Sequence, residues 1–216
     1  MTGGVSRLEA QAAPMFQPNI DTDIIIPSRE MKAVSKTGLG VGLFANRRYR
    51  NVDARDPDPG FVLNQAPFDQ ARILVTGPNF GCGSSREHAV WALRDYGIRA
   101  VVAPSFGAIF YNNCIRNGVV PAIVDAAIAE RWAEALAQDP AEGIIRVDVS
   151  GGEVTGPDGH SVPLTLGEEA RQMLENGWDP IDLTLQHSAA IDAFWADDRG
   201  RRPWAHAPLQ KVRRDP

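Results

Sequence analysis

The middle of the chain alternates between short apolar runs and amphipathic stretches, and this alternation limits the fold more than any other sequence feature. Apolar runs at 73–75, 100–103 and 119–123 are typical of buried strands. The intervening stretches, 85–96 and 106–117, have helical spacing of their apolar residues, and each is followed by a glycine. Strands that alternate with helices over short connections form a parallel sheet covered by helices. The sequence therefore predicts an α/β fold with a mostly parallel central sheet flanked by helices.

The two ends of the chain add smaller elements to this core. Residues 1–68 show no regular period and predict an irregular segment with β additions. The C-terminal part predicts an amphipathic helix, a hairpin-like stretch with Gly-Gly and Asp-Gly turns, and two further helices, at 126–138, 144–163, 167–176 and 184–195. We interpret residues 1–198 as a single domain.

Charge and hydropathy exclude several classes of function. The formal net charge of −5 argues against a general nucleic-acid binder. No run approaches the roughly 18 apolar residues of a membrane span, and residues 1–16 have no signal-peptide core, so we expect a cytoplasmic protein. Residues 199–216 carry six basic side chains and one acid. Such a tail is disordered or binds an acidic partner.

The sequence NFGCGSSREH at 79–88 lies between the first predicted strand and the helix that follows it. Gly81 and Gly83 permit a tight turn with exposed amides, and the start of a helix favours an anion. Ser84 and Glu87 have the spacing of a capping box, which predicts Ser84 as the N-cap. The loop is neither a Walker A nor a dinucleotide-binding sequence, since it has no lysine after its last glycine and no third glycine. These features predict a small carboxylate ligand, which the Arg86 guanidinium can grip through two hydrogen bonds.

Gly83 to His88, GSSREH, resembles the signature of the swivelling domain of aconitase-like hydro-lyases, and the longer string 79–89 is similar to the small subunits of 3-isopropylmalate dehydratase. Further motifs match the same family in order along the chain: NIDTD with IIP at 19–27, GLGVGLF at 38–44, FVLN at 61–64, APSF at 103–106 and LTLQH at 183–187. The likeness covers about residues 19 to 190 and leaves out the basic tail.

This resemblance implies a swivelling β/β/α domain that works with a separate large subunit. In that family the large subunit carries a [4Fe–4S] cluster, and the pair interconverts 2-isopropylmalate and 3-isopropylmalate through the alkene 2-isopropylmaleate. We therefore expect no cofactor and no metal in this chain. Its two cysteines, Cys82 and Cys114, are too few for a cluster or a structural zinc site, and we interpret Cys82 as a small residue that fits the turn.

The resemblance also implies roles for individual residues. Ser84 would be the base that takes a proton from carbon, activated by nearby amides and the helix dipole. Ser85 and Arg86 would hold a substrate carboxylate. Asp23 either orients a catalytic group or belongs to a polar turn before a strand formed by the isoleucines that follow it.

The sequence PSREMK at 27–32 occupies the place of a loop that selects the substrate side chain in the family. Met31 is a candidate contact for an isopropyl group, and Lys32 for a carboxylate. Because Glu30 and Met31 depart from the family pattern, a related hydro-lyase acting on homoaconitate, citraconate or a methylated malate is an alternative. A carboxylate-binding module without catalysis is a second alternative.

Overall fold

The computed structural model of the chain describes residues 3–31, 35–83 and 86–206. It divides into two units, Met1–Asp179 and Pro180–Pro216. The described strands, all in the first unit, are β1 (Arg7–Met15), β2 (Tyr49–Asn51), β3 (Asp56–Pro57), β4 (Ile73–Thr76), β5 (Ala100–Ala103), β6 (Val120–Ile123), β7 (Ile144–Asp148), β8 (Glu153–Thr155) and β9 (Ser161–Pro163). The described α-helices of that unit are α1 (Thr22–Ile25), α2 (Ala45–Arg48), α3 (Glu87–Tyr96), α4 (Ala108–Arg116), α5 (Ala126–Gln138) and α6 (Glu168–Asn176).

Seven strands form one mixed sheet in the order β6-β5-β4-β1-β7-β8-β9. The first four of these run parallel, and β7, β8 and β9 add an antiparallel meander beside β1. The turns between these last strands contain the predicted Gly-Gly and Asp-Gly pairs. The prediction of an α/β fold with a mostly parallel sheet and β additions is therefore confirmed.

Strand β1 lies near the centre of the sheet, although residues 1–68 were predicted to be irregular, so that prediction is wrong for this segment. Its first half, 7–11, pairs with β7, and its second half, 12–15, pairs with β4. Pro14, which lacks an amide hydrogen, falls in the half where β7 no longer pairs. The strand therefore tolerates a residue that argues against a central strand in the sequence.

Helices cover both faces of the parallel strands. Leu74 and Val101 pack in one core with Ala89 and Leu93 of α3. On the other face α5 contacts β1, β4 and β5 and buries Trp132 completely. Both β4 and β5 are buried along their whole length, as expected for parallel strands between two layers of helices.

The second unit contains α7 (Pro180–Leu185), α8 (Ser188–Arg201) and a 3-10 helix, Pro203–His206. Residues 199–201 and 203–206 of the predicted disordered tail are thus helical. The Asp198 carboxylate accepts hydrogen bonds from Arg202 at 2.6 Å and from the His206 ring at 2.8 Å, which ties this turn to α8. Residues 207–216 lie outside the described residues, and their disorder stays a prediction.

Candidate active site

The glycine-rich loop after β4 is held on one side by the segment before α1. The Gly81 amide donates to the Ile20 carbonyl oxygen at 2.7 Å, and the Thr22 amide donates to the Cys82 carbonyl oxygen at 3.1 Å. Because it is bonded to Ile20, the Gly81 amide is not free for an anion, and Gly81 shapes the turn.

On its other side the loop is bonded to the segment that leads into α4. The Phe80 amide donates to the Ser105 carbonyl oxygen at 3.0 Å, and the Gly107 amide donates to the Phe80 carbonyl oxygen at 2.9 Å. A side chain at Gly107 would place its Cβ 2.6 Å from the Gly81 carbonyl oxygen. Only a glycine allows these two backbones to approach so closely, and the loop is therefore fixed between two neighbours.

The conformation of Gly81 is one that other residues rarely adopt. Its φ angle is +72°, and a Cβ at this position would lie 2.1 Å from Cγ of Phe110. Phe110 is 3% exposed and packs edge-on against Phe80 with ring centroids 5.4 Å apart. Gly83 also has a positive φ, +88°. The prediction that both glycines permit a tight turn agrees with this geometry.

The acids before the isoleucine run have separate roles. The Asp21 carboxylate accepts a hydrogen bond from the Ile24 amide at 2.7 Å and caps α1. Ile24 and Ile25 therefore lie in a short helix. The strand predicted after Asp23 is wrong, because this cap favours a helical turn. Asp23 lies in that helix with its side chain 56% exposed and forms an ion pair with Arg86.

Helix α3 begins at Glu87 with Arg86 as its N-cap, two residues later than the predicted start. The predicted capping box is therefore wrong: the Glu87 carboxylate accepts a hydrogen bond from the Asn117 amide at 2.9 Å. Ser84 and Ser85 lie outside the described residues, as does Lys32. Their predicted roles stay predictions.

A cleft of about 230 Å³ opens between the loop and the start of α4. It is lined by Thr22, Gly81, Cys82, Gly83, Arg86, Gly107, Ala108, Ile109 and Phe110. The structure thus brings together the predicted residues Gly81, Gly83 and Arg86. Met31 is not among the lining residues; it is half-buried and packs against the core.

Sequence reasoning missed the contribution of α4 to this cleft. The N-cap residue of α4 is Gly107, which has no side chain to bond the first amides of the helix. The first turn of α4 lines the cleft beside Arg86. Ile109 in that turn is 54% exposed and gives the cleft an apolar wall. The signal was a glycine directly before a helix whose second residue is a large apolar one.

The sequence model of the aconitase C-terminal domain matches residues 3–127. The 3-isopropylmalate dehydratase small subunit of Cupriavidus necator is 56% identical over 195 residues, 90% of this chain and 94% of that protein. The subunit of the same name from Rhodospirillum centenum is 48% identical over 92% of this chain and 96% of that protein. The chain belongs to the family of 3-isopropylmalate dehydratase small subunits.

The fold of this small-subunit family is also seen in a solved structure. The crystal structure of 3-isopropylmalate dehydratase from Methanocaldococcus jannaschii has a TM-score of 0.61 and 23% identity, and the match covers 87% of this chain and 98% of that one. The resemblance that the motifs predicted is confirmed, both in family and in fold.

A polar cluster around the buried Asn117 was also missed from the sequence. Asn117 is 3% exposed and follows α4 directly. Its side-chain oxygen accepts from the Trp91 indole N–H at 3.0 Å, and its amide donates to Glu87 at 2.9 Å and to the Asn113 carbonyl oxygen at 2.9 Å. Asn117 thereby links α4 to the residue that follows Arg86 and positions the start of α3.

The two cysteines of this small-subunit family member lie in different environments. Cys82 is half-buried and lines the cleft. Cys114 is fully buried in the core, and burial raises the pKa of its thiol well above the usual range. Among the residues that the structure describes, no three His, Cys, Asp or Glu side chains are grouped to hold a metal ion. Within the same residues no helix is both long and apolar enough to cross a membrane.

Proposed function

We propose that this chain supplies one half of the active site of a 3-isopropylmalate dehydratase, and that a separate large subunit supplies the other half. The observation that supports this most directly is the cleft beside Arg86, which combines a guanidinium, two glycine turns and the N-terminus of α4. Guanidinium groups and helix N-termini both favour anions. A malate-type dicarboxylate is the substrate class that fits such a cleft.

The [4Fe–4S] cluster would be held by the large subunit and would supply Lewis-acid activation of the substrate hydroxyl group. This chain has only two cysteines, and one of them is sealed in the core. Its own residues therefore serve substrate binding and proton transfer. The enzyme would act in the cytoplasm, in leucine biosynthesis.

Ser84 is proposed as the base. It would remove a proton from carbon, the C–H electron pair would form the double bond of 2-isopropylmaleate, and hydroxide would leave from the neighbouring carbon. Return of water in the opposite orientation gives 3-isopropylmalate. A serine hydroxyl needs activation for this step, and Ser84 directly follows Gly83 and shortly precedes the ten-residue helix α3, whose N-terminal dipole favours an alkoxide.

Arg86 and Ser85 would bind a substrate carboxylate, with Asp23 as the group that orients Arg86. The ion pair between Asp23 and Arg86 supports this, because it places Asp23 where it can orient the guanidinium and shows that the guanidinium can bind a carboxylate. Both side chains are partly exposed, so the pair contributes only about 0–1 kcal/mol to stability. Asp23→Asn and Arg86→Lys should therefore fold normally. We expect both to raise KM, since Asp23 acts through Arg86.

The side chain of the substrate would be selected by apolar contacts. Ile109 lines the cleft, whereas Met31 packs on the core and Lys32 lies outside the described residues. Met31 and Lys32 stay candidates for the assembled enzyme. An Ile109→Ala variant should lower the preference for 2-isopropylmalate over methylmalate, since removing part of a hydrophobic contact reduces discrimination by about 10-fold or more.

The proposal is tested by reconstitution. The purified chain and a purified cluster-bearing large subunit are assayed separately and mixed, with 2-isopropylmalate, homoaconitate, citraconate and a methylmalate. We expect turnover only in the mixture, with the highest kcat/KM for 2-isopropylmalate. Turnover by the isolated chain, or an inactive mixture with an intact cluster, would contradict the proposed division of the site. A higher kcat/KM for another diacid would identify a related hydro-lyase.

A further inference from the structure

Three arginines gather at the edge of the sheet opposite the cleft. Arg72 and Arg99 directly precede the neighbouring parallel strands β4 and β5, and the Arg99 amide donates to the Arg72 carbonyl oxygen at 2.8 Å. Arg94 lies in the last turn of α3. The Arg99 side chain reaches it through a hydrogen bond from Nη1 to the Arg94 carbonyl oxygen at 2.8 Å. The topology of the sheet thus places three guanidinium groups at one corner of the fold.

These arginines line a half-open cavity of about 380 Å³, together with residues 3–5 and the start of β1. The other charged side chains of the cavity are already paired. Arg7 is bonded to Asp148 at 2.8 Å, and Glu9 to Arg146 at 2.9 Å. In the described part of the chain, no carboxylate lies within ion-pair distance of Arg72, Arg94 or Arg99.

The cluster is electrostatically unfavourable without an anion. Burial lowers the pKa of Arg94, and burial together with the charges of Arg94 and Arg72 lowers the pKa of Arg99. Arginine nevertheless stays protonated at neutral pH, so three positive charges repel one another in a chain whose net charge is −5. A planar guanidinium presents paired N–H donors that match the oxygens of phosphate and carboxylate groups.

We propose that the cavity lined by Arg72, Arg94 and Arg99, the arginine pocket, binds a small multivalent oxyanion of the phosphate or polycarboxylate class. The volume accommodates such a group, and the one carboxylate among the described lining residues, Glu9, is paired with Arg146. The pocket lies beyond the C-terminal end of α3, whereas the cleft lies at its N-terminal end, about 15 Å away along a ten-residue helix. This site is separate from the proposed catalytic cleft and does not depend on the dehydratase function.

The test is isothermal titration of the full-length chain with inorganic phosphate and, separately, with malonate, at constant ionic strength maintained with chloride. We expect saturable binding of at least one of these anions. Whichever binds more tightly defines the class of ligand. Arg72→Gln should weaken that binding at least tenfold and is the primary variant, because the Arg72 guanidinium has no ion-pair partner among the described residues. Arg99→Lys keeps the positive charge but loses the paired N–H donors of the guanidinium, so it should also weaken binding of the anion.

Two further variants serve as controls. Arg116→Gln removes an exposed arginine at the end of α4, outside the cavity, and should leave binding unchanged. Arg86→Gln removes the guanidinium of the cleft and should also retain the binding. The proposal is overturned if neither anion binds saturably, if Arg72→Gln binds like the wild type, or if only Arg86→Gln abolishes binding.

Discussion

Replacing Gly81 by alanine tests whether the shape of the cleft depends on a single backbone position. The new methyl group would lie 2.1, 2.4 and 2.5 Å from three ring carbons of Phe110. Carbon atoms normally approach to about 3.5–4.0 Å, so the ring or the loop has to move by more than about 1 Å. Phe110 is enclosed by Phe80 and Phe106, which leaves the loop as the part that shifts.

The expected cost is the sum of two terms. A left-handed backbone conformation costs an L-residue roughly 1–2 kcal/mol. Overpacking of a core adds about 1–3 kcal/mol. The total of about 2–5 kcal/mol is below the free energy of unfolding of a typical domain, about 5–15 kcal/mol. Gly81→Ala should therefore fold, with a displaced loop and with most of its activity lost.

The assay combines urea denaturation of the isolated chain with turnover of the reconstituted enzyme. Gly159→Ala is the matched control, because Gly159 has a φ of +75° and no atom within 4 Å of an added Cβ. It carries the backbone cost alone and should keep full activity. The double variant Gly81→Ala/Phe110→Leu should cost less than the sum of its two single changes, since the smaller side chain gives the methyl group room.

This prediction is contradicted if Gly81→Ala loses no more stability than Gly159→Ala and turns over within twofold of the wild type. That result would mean that Phe110 or the loop adapts freely, and that the conformation of Gly81 does not determine the cleft.

Three other predictions follow from the described contacts. Asn117→Ala should lower the free energy of unfolding by about 1–3 kcal/mol, because it leaves the Trp91 N–H and the Glu87 carboxylate without their partner. It should also lower kcat more than it changes KM. Urea denaturation and steady-state kinetics measure these two effects. Iodoacetamide should label Cys82 in the folded chain and spare Cys114, as mass spectrometry of the native and unfolded protein would show; equal labelling would contradict the burial of Cys114. The hydrogen bond from the Gly151 amide, and also the paired Arg7 guanidinium, lower the pKa of Asp148 in the folded chain. The Asp148 carboxylate therefore stabilises the fold fully above about pH 3.8, the pKa of the unfolded chain. This stabilisation is lost as the pH falls through the lower pKa of the folded chain. Asp148→Asn should therefore flatten the acid side of the stability profile, and an unchanged profile would contradict this.

The sequence predicted best those elements whose stability is local or that lie within one βαβ unit. Helix α5 has the predicted bounds, because the Asp125 carboxylate caps the Ala127 amide and its apolar spacing is regular. The strands β4, β5 and β6 are short apolar runs between glycine-terminated helices, and such runs have few alternatives to a buried parallel sheet.

The sequence failed where distant contacts decide the structure. Strand β1 contains three alanines and a proline, and it is fixed by pairing with β7, more than a hundred residues away. The capping box at Ser84 failed because Glu87 is bonded to Asn117, the residue that follows α4. A local motif competes with tertiary hydrogen bonds, and the sequence does not reveal such partners.

The candidate site likewise has a part that is local in sequence, which was predicted, and a part that depends on distant contacts, which was not. Gly81, Gly83 and Arg86 stand within one motif, so their proximity is local. Gly107 and Ile109, which form the opposite wall, lie where β5 leads into α4. Only the parallel pairing of β4 and β5 brings this wall beside the loop. This agrees with the general position of binding sites at the carboxyl ends of parallel strands.

Our proposal is that the loop contributes a base and a carboxylate-binding group to an active site that another chain completes. Its most direct test is Ser84→Ala in the reconstituted enzyme, with turnover and substrate affinity measured together and Ser85→Ala as the neighbouring control. The account predicts that Ser84→Ala lowers kcat by about 100-fold or more and leaves substrate affinity nearly unchanged, whereas Ser85→Ala mainly weakens affinity. Near-normal turnover of Ser84→Ala would remove Ser84 from the role of base and contradict the account.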